Sequence, residues 1–421
     1  MIFTADLHIH SRFSRACSRS LAPETLHVWA QKKGVTVLSA GDFTHPAWRA
    51  ELKEKLIPAE EGLFRLRPDL AREADASVPA SCRADMRFLL GVEISCIYSK
   101  DKRVRRVHHL VYAPSFGAAE RVVRRLEKIG NLGSDGRPIL GLDSKSLLDI
   151  VLEAGGGCRL VPAHAWTPHF GVFGSQSGFD SLEECFGDLA PEIFAIETGL
   201  SSDPPMNWRL KALDRIALIS NSDAHSAEKI GREANVFDSE LSYEGIFGPV
   251  EKRDPGRFLG TIEFFPEEGK YHCDGHRKCG ARLTPAETRR NKGRCPSCGK
   301  PVTVGVLSRV EALADRGPGR KPAGAPGFVS SVPLKEILGE ILGVGALSKA
   351  VKGRYEGLLE RFGSERFVLH DLDLGKLAAA GEQTLARALS RLRAGKAGVE
   401  AGYDGEYGKV RLLNGRRAAA V

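Results

Sequence analysis

Residues 2–10 read IFTADLHIH, and the reading of the whole chain starts there. Ile2 to Ala5 is a short apolar, β-branched run of strand length, and it is followed by Asp6, His8 and His10. In an extended chain residues i and i+2 point the same way, so both imidazoles can face one point in space. Imidazoles grouped with carboxylates are a donor set that divalent metal ions take. A strand that ends in such side chains fits a β/α barrel, where the C-terminal ends of the strands converge on one mouth.

Further runs of this kind follow at Val35–Ala40, Phe88–Val92, Val107–Tyr112, Leu160–Ala163, Ile193–Ile196 and Ala217–Ser220. Helix signals lie between them. Pro23 starts a segment that Gly34 stops, and Asp143 caps another that runs into three glycines. The pattern predicts an α/β fold, a seven-stranded (β/α) barrel over residues 1–250. At the strand ends stand Asp42 and His45 in GDFTHP, Glu93 in GVEIS, His109 in RRVHHLVYAP, His164 in VPAHAW, Glu197 in IETG, and Asp223 and His225 in NSDAH. Any one of these alone is ordinarily a hydrogen-bonded core histidine or a capping aspartate. Their shared placement argues for one metal cluster. His108 should point to the opposite face of its strand from His109, and His27 and His169 have no spacing that suggests ligation.

A second cluster lies in YHCDGHRKCGARLTPAETRRNKGRCPSCGK, residues 271–300, which holds four of the nine cysteines. That crowding favours metal over disulfides. His276-Arg-Lys-Cys279-Gly and Cys295-Pro-Ser-Cys298-Gly share one frame, which predicts a structural zinc held by His276, Cys279, Cys295 and Cys298, with Cys273 as the competitor for the place of His276. The ribbon spans residues 260–310 and carries basic residues such as Lys278. Whether it grips phosphate or only folds its own segment stays open at this level. RGPGRKPAGAPG, residues 316–327, reads as a linker or surface loop, and residues 328–421 form a mainly helical C-terminal region that ends in the hairpin-like GYDGEYGKVRLL.

At 421 residues with 42% apolar composition, the chain is expected to fold as several units. No apolar run approaches the roughly 20 residues a membrane helix needs, and MIFTADLHIH lacks the features of a signal peptide. A soluble, cytoplasmic protein is expected, and the net charge of +8 suits a polyanionic partner.

The ordered series DLHIH, GDFTHP, GVE, HHL, PAH and SDAH resembles the PHP (polymerase and histidinol phosphatase) phosphoesterase family. That resemblance implies a distorted seven-stranded barrel with two or three divalent ions, zinc, magnesium or manganese. It places His8, His10, Glu93 and Asp223 around one ion, His109 and His164 on a neighbour that shares Glu93, and His225 toward a third. Such ions acidify water and neutralise an attacked phosphate. The chain departs from the family pattern where another ligand usually follows the first pair, since SRFSRACS offers Ser14, Arg15 and Cys17. Two ions are therefore the expected core, with Asp42, His45 and His225 left for an incomplete third position; His45 or His225 could instead move a proton.

Over nearly the whole chain, GTIEFFPEEGKYHCDGHRKCG, CPSCGK, VGVLSRVEALADR and GYDGEYG are similar to the endonuclease Q family of DNA-repair nucleases. The resemblance implies cleavage of the phosphodiester 5′ to hypoxanthine, uracil, xanthine or an abasic site, in single- or double-stranded DNA. Asn221, Trp166 and Phe170 neighbour the ligand motifs and are candidates for a base pocket; Arg12, Arg15, Arg103, Arg105 and Lys278 are candidates for backbone contacts. Two rival readings are a phosphatase of small phosphomonoesters and a DNA-binding protein with an inactive barrel.

Overall fold

The structure, a computed structural model, describes residues 1–413. Strand Ile2–Asp6 runs parallel to Val37–Ser39 on one side and antiparallel to Ala234–Asp238 on the other. Val37–Ser39 is in turn parallel to Arg87–Lys100. The regular β/α alternation then breaks. Arg87–Lys100 turns through Asp101 and Lys102, both left-handed at φ 52° and 60°, straight into the antiparallel strand Arg103–Ala113. Arg159–Pro162 follows antiparallel, and Ala195–Glu197 and Ala217–Ile219 pair in parallel with each other. The result is a distorted α/β barrel with both faces of its strands buried: Leu38 and Phe88 join one apolar cluster, Val37 and Leu89 another.

Between Ala217–Ile219 and Ala234–Asp238 a side chain takes the part of a backbone ladder. Asn235 donates from Nδ2 to the Ser220 carbonyl at 2.8 Å and accepts the Ser220 N–H on Oδ1 at 3.0 Å. It also reaches Asn221 Oδ1 at 2.8 Å. Asn235→Ala leaves a buried N–H and C=O unpaired, so a loss of roughly 2–4 kcal/mol in urea unfolding is expected. A loss under about 0.5 kcal/mol, the scale of a neutral surface change, would show that the clasp is dispensable.

Behind this seam Glu263 is fully buried, accepting from Thr198 Oγ1 at 2.9 Å and Ser220 Oγ at 3.1 Å. Burial pushes its carboxyl up to about 8. The folded chain thus holds a proton that the unfolded chain releases near 4.5. The stability this group contributes is complete in acid and is lost as pH rises toward about 8. Glu263→Gln should flatten the fall in Tm between about pH 5 and pH 8, the window this shift spans; an unchanged fall would reject the assignment.

Phe258–Glu263 extends the sheet antiparallel to Ala234–Asp238, and Gly327–Ser330 adds parallel to it. The cysteine-bearing stretch is therefore an excursion between two neighbouring strands. The Pro/Gly-rich run that ends it is tethered, with Arg316 paired to Asp214 and donating to the Trp208 carbonyl at 2.6 Å. Helices Leu334–Leu342, Lys349–Phe362, Leu374–Ala379 and Gln383–Arg393 share a core of Leu338, Tyr355, Leu358, Leu385 and Leu389. They dock on helix Pro23–Lys33 through a buried Lys33–Glu365 pair at 2.5 Å. The chain then returns to the barrel mouth. Gly402 N–H donates to the Glu267 carbonyl at 2.8 Å and Gly408 N–H to the Glu268 carbonyl at 3.1 Å. A Cβ at Gly408 would fall 2.1 Å from the Glu267 oxygen, so glycine is required there for the close approach. Among the described residues no helix is long and apolar enough to cross a membrane.

Candidate metal centre

His8 and His10 leave the first strand on one side, held there by the bridge between Ile9 and Ala224. His10 Nε2 lies 3.1 Å from Asp223 Oδ1 and 3.4 Å from Glu93 Oε2. His8 Nε2 lies 3.6 Å from Asp223 Oδ1 and 3.8 Å from Glu93 Oε1. On the far side of Glu93, His108 Nδ1 is 2.6 Å and His164 Nε2 2.8 Å from Oε1. Two donor groups result, His8 with His10 and Asp223, and Glu93 with His108 and His164, the ligand atoms of each lying within 4.8 Å of one another. Glu93 stands between them. His8 Nε2 is buried with no hydrogen-bond partner, an orphan that a divalent ion would satisfy. The backbone is strained at the same place: Asp42, His164 and Asp223 have φ of 49°, 28° and 46°.

Burial works to raise both carboxyls, yet His108, His10 and His164 around Glu93, and His8 and His10 around Asp223, outweigh it and hold both well below the carboxylate range. Burial drives His108 down to about 4. Charged carboxylates and neutral imidazoles are the states that bind metal; against burial, the surrounding carboxylates push His8, His10 and His164 up, so an ion bound there displaces protons from them.

The two imidazoles of the first motif are oriented from behind. His8 Nδ1 faces Glu197 Oε1 at 3.0 Å, and Glu197 also accepts from Asn221 Nδ2 at 2.8 Å and from the His164 N–H at 2.7 Å. His10 Nδ1 faces Asp42 Oδ1 at 3.2 Å, while Asp42 Oδ2 accepts from Ser11 N–H at 2.7 Å and Ser14 Oγ at 2.8 Å. A carboxylate on the rear nitrogen leaves Nε2 as the metal-facing atom. Asp42 and Glu197, expected as ligands, therefore sit outside both donor groups. Asp6 also plays a supporting part, accepting the Ser222 and Gly231 N–H groups at 3.0 and 2.9 Å and so setting the loop that carries Asp223.

The expectation for His109 is corrected. Across the hairpin Ser95 pairs with His108 and Ile94 with His109, so the face that carries Glu93 carries His108. His109 points the other way, to Ser144 Oγ at 2.8 Å, and burial pushes it down to about 3. His45 is also displaced from ligation: its Nδ1 accepts the Trp48 N–H as a helix cap, and its ring stacks on Phe13 at 4.3 Å. His225 stays at the mouth, with Nδ1 on the Asp223 carbonyl at 2.9 Å and its ring 4.6 Å from that of His10. One residue escaped sequence reasoning altogether. Arg137 Nη1 donates to Glu93 Oε2 at 3.0 Å, and nothing in GSDGRP marks it beyond a turn.

Against the His108 and His164 side lies a cavity of about 310 Å³, also lined by Asp223, His169, Phe170, Ser201, Tyr271 and Tyr407. Of the pocket candidates Phe170 reaches it. Trp166 is buried with Nε1 on Asn207 Oδ1 at 2.7 Å, and Asn221 is engaged by the Leu7 N–H at 2.8 Å, so both are structural. His169, which no spacing singled out, lines the cavity. Among the backbone-contact candidates, Arg105 is buried with its guanidinium 4.0 Å over the Phe179 ring and bonded to the Gly178 carbonyl, which removes it from any surface. Arg12 pairs with Glu51 at 2.6 Å, while Arg15, Arg103 and Lys278 are exposed.

His276, Cys279, Cys295 and Cys298 converge as one tetrad. Against the opposing effect of burial, the N–H groups of Ser297 and Cys298 draw the Cys295 thiol down to about 6. Cys273 lies outside the tetrad, buried against Tyr403.

A family model described as the MJ0043 C-terminal domain matches residues 333–396. Uncharacterized protein MJ0043 of Methanocaldococcus jannaschii is 31% identical over 252 residues, 59% of this chain, and the chain spans 31% of that protein's length. The crystal structure of the lesion-specific endonuclease PfuEndoQ from Pyrococcus furiosus is matched at a TM-score of 0.85 and 31% identity, over 98% of this chain and 96% of that one. The chain belongs to the endonuclease Q family. A second endonuclease Q structure, a complex with a 27-mer duplex substrate with an abasic lesion at the active site, is matched at a TM-score of 0.83 and 31% identity, over 98% of this chain and 97% of that one. Membership makes the chain a DNA endonuclease by family.

Proposed function

We propose that this chain hydrolyses the phosphodiester 5′ to a deoxynucleotide bearing hypoxanthine, uracil or xanthine, or to an abasic site, with the damaged base lifted into the cavity beside the donor groups. The observation that carries the reading is shared lining: His108, His164 and Asp223 belong both to the donor groups and to the wall of that cavity. A base in the cavity would bring its own phosphate to the donors. His8, His10 and Asp223 would hold one divalent ion and His108 and His164 another, with Glu93 between. Bound ions supply the charge that neutralises the phosphate and acidifies water. His225 Nε2, without a protein partner among the described residues, is placed to move a proton.

Base extrusion is least costly where pairing is already weak, which favours damaged positions. Deaminated bases also share a ring carbonyl beside an N–H, whereas adenine and cytosine present a ring nitrogen beside an amino group. The hydroxyls of Thr167 and Ser201, 3.3 Å apart, and the ring of His169 supply polar groups on that wall. Phe170 supplies a stacking surface. Phe170→Ala should lower kcat/KM for a deoxyuridine duplex by about 1–3 kcal/mol of stacking while sparing an abasic duplex. Equal losses on both would remove Phe170 from base recognition.

The overall test is end-labelled duplexes carrying one deoxyinosine, deoxyuridine, abasic site or normal base, incubated with magnesium, manganese or zinc. Lesion-dependent nicking at a single bond is expected. Phosphate release from small esters alone, or DNA binding with no cut under any of the three metals, would overturn the proposal.

A further inference from the structure

The loop of residues 133–137 closes over Asp42 and Ser14 at the edge of the mouth. Gly136 N–H donates to the Phe13 carbonyl at 3.0 Å, and the Arg15 N–H donates to Asp135 Oδ1 at 3.2 Å. On the other side the Ser95 N–H donates to the Pro138 carbonyl at 3.0 Å, so the loop is pinned at both ends. It presses so closely that a Cβ at Gly136 would fall 2.2 Å from Asp42 Oδ2 and 2.4 Å from Ser14 Oγ. Asp42, already accepting from Ser11 and Ser14, is covered, and His45 is spent on its helix cap. These residues leave no open carboxylate for a third ion.

What the loop delivers to the mouth instead is a cation. Arg137 is three-quarters buried and spends Nη1 on Glu93 Oε2, the oxygen that also faces His10. Its other four N–H donors have no protein partner among the described residues. A guanidinium carries five donors in a rigid fork suited to oxyanions, and a partly buried cation at the mouth with most of them unspent is arranged for a ligand that brings acceptors.

We propose that Arg137 is a catalytic residue that contacts a non-bridging oxygen of the scissile phosphodiester, supplying the positive charge that a third metal ion would otherwise bring. The inference rests on the nuclease reading above. It assigns the substrate phosphate to the gap between Arg137 and the two donor groups, and it assigns the mouth two ions per chain beyond the single ion of the ribbon.

The test is Arg137→Ala and Arg137→Lys in the full-length metal-loaded protein, read by metal content, thermal melting, kcat, KM and rescue. The alanine variant should melt like wild type and keep its ions, yet lose about 100-fold or more in kcat on an abasic duplex, the scale of losing one transition-state donor. Added guanidinium should restore part of that rate, and lysine should recover part of it through charge alone. An alanine variant that cuts at the wild-type rate would overturn the inference. So would one that loses its mouth ions and is not rescued, since Arg137 would then only brace Glu93. Three mouth ions in the wild type would overturn the replacement of the third metal. Wild type that nicks no lesion would instead sink the nuclease reading, which keeps the two failures apart.

Discussion

Glu93→Gln is expected to abolish strand cleavage, lowering kcat by at least about 10³-fold, as removal of a group central to transition-state charge does. Its two oxygens face both donor groups, Oε1 near His108, His164 and His8 and Oε2 near His10 and Arg137. Glutamine keeps the shape but replaces one oxygen with an amide donor and removes the charge that opposes the ions. Metal content should fall by up to two ions while far-UV circular dichroism is unchanged. Nicking within tenfold of wild type would defeat the assignment. His8→Ala and Asp223→Ala should behave alike. The paired test is sharper still: His108→Ala should lose cutting and His109→Ala should retain it, because the hairpin register puts only His108 on the face of Glu93. The reverse result would mean that the register is wrong.

Cys295→Ser should remove one ion and unfold the ribbon while leaving the mouth ions in place. Structural zinc in small finger modules is worth about 10–16 kcal/mol of apparent binding, which is folding free energy when no preformed site exists without it. The consequence should reach the cavity. Tyr271 and His272 line it and lead directly into the tetrad, and Tyr403 of the returning hairpin bridges to Cys273. Lesion preference should therefore weaken together with the lost ion, measured as the ratio of kcat/KM on deoxyinosine and undamaged duplexes. A variant that keeps full zinc content would disprove the tetrad. A variant that loses the ion but keeps full preference would uncouple ribbon from cavity.

Several features were legible from residue order because their physics is local. His8, His10, Glu93, His164 and Asp223 announce themselves as polar groups that follow apolar runs, although Glu93 lies inside the long strand Arg87–Lys100 and not at its end. The ribbon's frame is repeated within one short segment, and two-residue spacing makes side chains share a face wherever the chain is extended. The Arg87–Ala113 hairpin was less legible, since its two apolar runs look like strands separated by a helix until Asp101 and Lys102 are seen to turn.

The identity of the donors within that frame was a tertiary matter. Choosing His108 over His109 depends on a one-residue register that flips every side chain, and no local pattern specifies it. Asp42 and Glu197 look like Glu93 in sequence, yet they stand behind the imidazoles because serine, asparagine and backbone donors from distant segments claim their oxygens. Arg105 and Arg137 are alike as residues; one is turned under Phe179 and the other is carried to Glu93 by a loop pinned at both ends. Periodicity is a property of the chain and can be read along it, whereas which group meets which is set by contacts between segments more than two hundred residues apart, and these exist only once the barrel closes.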